Sequence, residues 1–458
     1  MKYSFPFLKS LFTSKTTGFA IISLCILLIT GCRSCFVIDN PYAVIAPGTW
    51  RGVLLLSNEN MTPNSKGEVL EGKENIKFEE VVTDELPFLF DITYTDDTTF
   101  YVEIINGTER IRVDDISVLH DRATNKDTLF MRFTEYDNYI KAVFKENIME
   151  GYWYVPSKGS YSIPFRAKNG ESHRFSTIHK PMAADYSGKW EATFGLDEPE
   201  PYKAIGEFVQ KGDTLYGTFL TETGDYRYLE GNVLGNKLYL SCFDGSHAFL
   251  FTAKEMPDKT LSGGFKSGNH YTTTWEAKRN PDFQLRDPTS LTTINKGFSN
   301  KMSFKFPNSK GKIISLDDPA YQQKVKIIQI MGTWCPNCRD ETVFLKSYLE
   351  KNKSLGVEVL ALSFERYQES AKALGVIQRY QDKLKVPYEI LWAGSSDKEA
   401  SSKALPMLNQ IMSYPTTLIL DKKNNIRKII TGFNGPATSL YEEDIKKFDT
   451  FVKSLLAE

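Results

Sequence analysis

The chain has 458 residues, about three domains at roughly 150 residues each, which excludes one simple fold. Its 56 Lys plus Arg balance 57 Asp plus Glu, so no charge surplus marks a nucleic-acid partner. With 41% hydrophobic, 25% charged and 13% aromatic residues, the composition is globular and leans toward β structure, and six cysteines are too few for a disulfide scaffold.

The N-terminus reads as an address. Lys2, Lys9 and Lys15 precede an apolar run from Phe19 to Ile29, followed by Ile29-Thr30-Gly31-Cys32. This resembles a bacterial lipoprotein signal, with a basic region, a short apolar core and a lipobox ending in Cys. The run is shorter than the roughly 20 apolar residues that span a bilayer. Residues 1–31 are therefore expected to be a signal peptide and Cys32 the lipidated first residue of a tether over 32–47, the competing reading being a signal-anchor helix or a secretory signal with a chance Cys. Cys25 falls in the discarded core, and Cys35 lies in the tether as an incidental thiol. No acidic cluster follows Cys32, so the expected location is a bacterial cell membrane, lipid-anchored and facing the periplasm.

Two stretches then alternate apolar and polar residues in short runs broken by turn chemistry. The first, 48–170, opens on Gly48-Thr49-Trp50, with strands expected near Phe88, Phe100, Ile111, Thr128, Tyr139, Ile148 and Tyr161. The second, 185–280, opens on Gly188-Lys189-Trp190, with strands beginning at Trp190, Ala204, Thr214, Arg227, Lys237, His247, Thr260 and Tyr271. Eight short strands in a meander close most simply into an up-and-down barrel, which removes exposed edges. The parallel openings suggest a duplication, and Gly-x-Trp resembles the start of lipocalin and avidin barrels over those three residues. A barrel of this size is filled by side chains or holds one small ligand. The five histidines show no metal-ligand spacing, and no metal site is expected. Cys242 alternates with Leu238 and Leu240 and reads as a buried thiol.

Past a linker at 281–299 the periodicity changes. Val325–Ile330 and Val357–Phe364 are continuously apolar, as in strands covered on both faces, and helical patterns lie between them. An α/β domain is expected over 300–458. The strand from Val325 runs into Gly332-Thr333-Trp334-Cys335-Pro336-Asn337-Cys338, and a helix starts at once. A cysteine at a helix N-terminus meets the positive end of the dipole and free backbone N–H groups, which favour its thiolate. Cys335 is so placed, and Cys338, near the same face of the first turn, can attack a mixed disulfide formed at Cys335. Pro336 fits the first turn because its missing N–H would have no partner there. Half of a zinc site is the competing reading, but residues 282–458 contain no His and no second Cys pair. A peroxiredoxin pattern would need Pro and Thr where Ile328 and Gly332 stand.

These residues resemble the thioredoxin superfamily and, within it, the TlpA/ResA-like membrane-tethered thiol-disulfide oxidoreductases, over roughly residues 300–458. The carriers are the strand leading into Trp334-Cys335-x-x-Cys338, Arg339-x-Glu341, and Tyr414-Pro415-Thr416-Thr417 before Leu418-Ile419-Leu420. The resemblance implies a cis proline at Pro415 packed beside the disulfide. It also implies a substrate chain held near Trp334, Tyr414 and Pro415, and a redox-active Cys335–Cys338 pair with no other cofactor. Thioredoxin's buried Asp is replaced by Gln329, so by analogy with the tethered group Glu341 becomes the acid/base candidate; its other reading is an exposed carboxylate at a helix N-terminus. Val343 stands where the group carries Pro. The implied partners are protein thiols or disulfides and an upstream periplasmic electron donor or acceptor. The expected whole is a multidomain chain, two antiparallel β-barrel-like domains followed by an α/β thioredoxin fold. The alternative expectation makes the barrels a ligand- or partner-binding module and the redox domain regulatory.

Overall fold

The computed structural model describes residues 44–57, 81–82, 84–122, 126–181 and 184–458. The expected signal peptide, Cys25, Cys32, Cys35 and most of the tether lie outside the described residues.

The first sheet has nine antiparallel strands. Edge to edge they are Glu109–Val113, Phe100–Asn106, Glu85–Tyr94, Gly48–Leu55, Ser162–Asn169, Ile148–Tyr154, Asn138–Lys145, Lys126–Phe133 and Ile116–Asp121. The strand Ile116–Asp121 was not among the expected ones. It carries no buried residue, so the inside-outside alternation that betrays the other strands is missing from it. It ends the sheet beside Glu109–Val113 without pairing to it, and the curl stays open there.

The second sheet closes. Its eight long strands run Tyr202–Lys211, Gly188–Phe194, Tyr271–Arg279, Leu261–Ser267, Ala248–Glu255, Lys237–Phe243, Leu229–Leu234 and Thr214–Thr221, and the last pairs back onto the first. A two-residue strand, Gly224–Asp225, hangs on the end of Thr214–Thr221. In both sheets the opening strand sits between the second and the last. Both opening tryptophans are buried, and each indole N–H donates to the carbonyl four residues earlier, Trp50 to Ala46 at 2.9 Å and Trp190 to Tyr186 at 3.0 Å. Rings fill the barrel. Phe251 lies 4.4 Å from Phe265 and 4.9 Å from Phe219, and Phe194 stacks on Trp275 at 5.8 Å.

The open sheet is completed by the barrel. Beyond Lys237–Phe243 the chain pushes Phe243 among Phe88, Trp153 and Phe133, with ring centroids at 4.5, 5.3 and 5.6 Å. Asn106 grips the Phe243 backbone twice, donating to its carbonyl at 2.9 Å and accepting from its N–H at 3.3 Å, and Asn138 donates to the Gly245 carbonyl. Gly245 has φ of 88°, and a Cβ on it would lie 2.2 Å from the Phe133 ring, so only glycine fits this turn.

The C-terminal sheet orders its strands Glu389–Ser395, Val357–Glu365, Val325–Met331, Thr416–Leu420 and Ile426–Thr431. Val325–Met331 is central, parallel to Val357–Glu365, antiparallel to Thr416–Leu420, and buried along its whole length. On one face Ile327 and Met331 pack toward helices Pro336–Asn352, Ser370–Leu384 and Tyr441–Ala457, and on the other Ile328 and Ile330 meet Phe304, Leu405 and Leu408. The thioredoxin-like fold and the two β domains make the chain multidomain.

Phe243→Ala removes a ring that three aromatics of the other sheet enclose, and we expect a loss of about 3–5 kcal/mol. Urea unfolding of the full chain measures it; a loss below about 1 kcal/mol would show that the first sheet does not depend on the barrel for its core.

Candidate active site

The site is built where the central strand ends. Glu365, at the end of the neighbouring strand, turns inward and accepts from the Thr333 N–H at 3.1 Å, the Thr333 hydroxyl at 2.8 Å and the Ser363 hydroxyl at 2.6 Å. Three donors fix the turn that precedes the cysteines. Trp334 donates its indole N–H to the Phe364 carbonyl at 3.0 Å. Gly332 lies beneath that ring, where a Cβ would come within 2.3 Å of the indole nitrogen.

The helix Pro336–Asn352 starts one residue after Cys335. The Cys338 backbone N–H donates to Cys335 Sγ at 3.2 Å, the kind of contact that favours negative charge on that sulfur. Cys335 Sγ in turn donates to the Tyr414 carbonyl at 3.4 Å. The Tyr414–Pro415 bond is cis, and the Tyr414 ring stands edge-on to Trp334 at 5.5 Å. Cys335 is 6% exposed and Cys338 fully buried. Burial, then the hydrogen bond and charge of Cys335, push the Cys338 thiol well above its ordinary value. Cys242 is buried in the barrel core, and burial raises its thiol likewise.

Glu341 is not an exposed helix-terminal carboxylate. It is buried, accepts from the Thr417 hydroxyl at 2.5 Å, and leaves Oε2 without a hydrogen-bond partner. Burial raises it to about 7, against partial relief from Thr417 and Gln329. It lines a cavity of about 720 Å³ together with Thr417, Phe344, Ile430 and Phe448. Gln329, in the place of thioredoxin's acid, donates to the Cys338 carbonyl at 3.1 Å and accepts from Thr342. Gln329 braces the helix but cannot carry a proton to or from a sulfur.

The β domains reach into this site through residues no motif announced. Arg227, at φ of 58° and almost wholly buried, donates to the Pro336 carbonyl at 3.3 Å, pairs with Asp340 at 2.5 Å and Asp244 at 3.2 Å, and also pairs with Glu109. Burial would lower its pKa, but Asp340, Glu109 and Asp244 together hold it well above the ordinary value. Asn337 donates to the Asp225 carbonyl at 3.0 Å, Ser246 to the Trp334 carbonyl at 2.8 Å, and Ser413 to the Thr223 carbonyl at 2.6 Å. Gly224 makes this approach, since a Cβ there would lie 2.4 Å from the Asn337 amide. From the first sheet, Asp137 accepts from Tyr367 and pairs with Arg379, both at 2.6 Å.

A dithiol at the start of a helix that follows a central strand, facing a cis-proline loop, defines a thioredoxin-type redox domain. The AhpC/TSA family model matches residues 299–429. Thioredoxin-like protein YneN of Bacillus subtilis (strain 168) is 30% identical over 129 residues, 28% of this chain and 68% of that protein. Thiol-disulfide oxidoreductase ResA of Bacillus cereus (strain ATCC 10987 / NRS 248) is 27% identical over 146 residues, 32% of this chain and 74% of the relative. A solved thioredoxin-family thiol:disulfide interchange protein from Chlorobium tepidum TLS is 21% identical and matches 35% of this chain and 99% of its own, with a TM-score of 0.27. The chain belongs to the thioredoxin-like family, with a TlpA/ResA-like domain at its C-terminal end, and is a thiol-disulfide oxidoreductase.

Glu341 gives a signed pH dependence. Its folded pKa is raised to about 7 from an ordinary 4.5, so between those values the unfolded chain releases a proton that the folded chain keeps, and stability falls as pH rises. Glu341→Gln removes that loss. The stability of the variant relative to the native chain should grow from about pH 4.5 to pH 7 and then level off; denaturant titrations across that range read it, and a difference that does not change with pH would place Glu341 in a solvated setting.

Proposed function

We propose that this protein is a lipid-anchored, periplasm-facing reductase of protein disulfides that works through Cys335 and Cys338, with Glu341 as proton acceptor. The observation that carries the reading is the asymmetry of the pair: one sulfur slightly exposed with a backbone N–H aimed at it, the other fully enclosed. Cys335 thiolate attacks a substrate disulfide, forming a mixed disulfide and releasing one substrate thiolate. Cys338 then gives up its proton and attacks Cys335 Sγ, the second substrate sulfur leaves as a thiol, and the enzyme is left as the Cys335–Cys338 disulfide. Two electrons have passed from enzyme dithiol to substrate, and a periplasmic thiol donor returns them.

The buried Cys338 thiol needs a base. Glu341 acts on Cys338 electrostatically, and a carboxylate poised near neutrality suits a proton passed in both directions. The cavity that reaches Glu341 gives that proton an exit. Trp334, Tyr414 and Pro415 form the wall against which the substrate chain lies. Cys32, preceded by a basic region and a lipobox, is the acylated anchor, and the ring-filled barrel with the sheet it completes is the scaffold between membrane and redox centre.

Cys338→Ser leaves the attacking sulfur and removes the resolving one. Incubated in reduced form with a disulfide-bonded protein, the full chain carrying this change should accumulate a mixed disulfide, visible as a shifted band on non-reducing gels, whereas Cys335→Ser should trap nothing. Trapping by Cys335→Ser instead would reverse the roles. Cys32→Ala should move the protein from the membrane to the soluble fraction; continued membrane retention would mean an uncleaved anchor.

A further inference from the structure

Three chain segments meet on one side of the redox centre, two of them carrying a cation. From the first sheet, the turn Pro156–Lys158 carries Lys158, and Tyr161 follows it. From the barrel, the turn after Leu261–Ser267 carries His270. Lys158 Nζ donates to His270 Nε2 at 3.3 Å, so Nδ1 bears the ring proton and meets the Tyr161 hydroxyl at 3.1 Å. From the redox domain, Arg366 lays its guanidinium on the Trp334 ring, 4.2 Å from the centroid. His270 is pushed down to about 4 by burial and then by Lys158 and Arg366, so the ring is neutral and acts as a brace. Lys158 is lowered to about 8 by burial and by Arg366. The two cations thus act on one another unfavourably.

Neither has an ion-pair partner among the described residues, although Glu365 acts on Arg366 electrostatically. Among the described residues no carboxylate lies within ion-pair distance of Lys158 or Arg366, and Arg366 makes no hydrogen bond to them. The nearest acid in sequence, Glu365, has both oxygens engaged by Thr333 and Ser363. Arg366 also senses Cys335 electrostatically. Meanwhile the other side of the motif is taken: Thr223 and Asp225 lie against Ser413, Asn337 and Gly435. Arg366, on the Trp334 ring, lies outside those contacts.

We infer that Lys158 and Arg366, braced by His270 and Tyr161 and backed by Trp334, form an anion-binding subsite that selects polypeptide disulfides with an acidic side chain next to the cystine. The inference rests on the reductase reading above. A carboxylate from the substrate supplies the direct ion pair that neither cation makes within the described residues, with the Arg366 guanidinium offering its N–H edge in bidentate fashion. On release of the product the cations again face each other without a partner, which favours exchange for the next oxidised chain.

The test uses the full chain, reduced beforehand, in single turnover with three peptide disulfides identical except for Asp, Asn or Lys beside the cystine. A change in tryptophan fluorescence or quenched-flow analysis of peptide thiols gives the second-order rate constant. We expect the Asp peptide to outrun the Lys peptide by about tenfold at low ionic strength, and the gap to close toward unity near 1 M salt, where the screening length is about 3 Å. In the double variant Lys158→Gln, Arg366→Gln the ratio should fall within about twofold. Equal rates for all three peptides on the native chain would overturn the subsite and leave the reductase reading standing, since the neutral peptide would still be reduced. Reduction of none of them would overturn both. The salt titration needs no variant, so misfolding of the double variant cannot hide the answer.

Discussion

The buried guanidinium of Arg227 holds this architecture together. It belongs to the barrel, yet its partners are Glu109 of the first sheet, Asp244 of the barrel and Asp340 and the Pro336 carbonyl of the redox helix. Removing a guanidinium from water is costly, and removing one partner of such a group leaves an unpaired buried charge worth about 3–5 kcal/mol. The three modules can satisfy it only in one relative placement. Asp225 adds to the constraint, closing a turn on the Arg227 N–H at 2.7 Å while accepting from the Gly435 N–H of the redox domain at 2.7 Å. The charge that fixes the domains therefore sits directly under the first turn of the catalytic helix.

That placement alters what the redox domain can do. A free-standing centre of this kind offers its sulfur to any chain that reaches the surface. Here Trp334, Pro336 and Asn337, three of the residues around the attacking cysteine, are each hydrogen-bonded to the barrel. The barrel interior is packed with Phe194, Phe219, Phe251, Phe265 and Trp275, which leaves its loops, and not its lumen, as the working part.

The chemistry was legible because it is local. Cys335, Cys338, Gly332 and Trp334 fall within seven consecutive residues, and a strand that ends in a helix declares the geometry by its apolar run. The barrel was legible for the same reason, since its strands alternate and its turns carry Gly with Asn or Asp. What the sequence hid depends on distance along the chain. The hydrogen-bond partner of buried Glu341 is Thr417, far along the chain, and Arg227 is made a hub by residues more than a hundred positions away on either side. The open curl of the first sheet was equally hidden, because its closing element, Phe243, belongs to the next domain. Glu365 was the one hidden residue with a local signal, an acid at the end of an otherwise apolar strand.

The hub also imposes an order on assembly. Glu109 leaves the ribosome first, Arg227 and Asp244 follow together, and Asp340 comes last of the four. Until Asp340 arrives, the guanidinium has a vacancy facing the unfinished redox helix, and the first sheet already waits for the Phe243 that the barrel must deliver. Without the redox helix the β modules therefore lack two of the guanidinium's partners, Asp340 and the Pro336 carbonyl. The contact that completes the hub is thus also the one that seats the first turn of the redox helix, so scaffold and cysteine pair share one docking interaction.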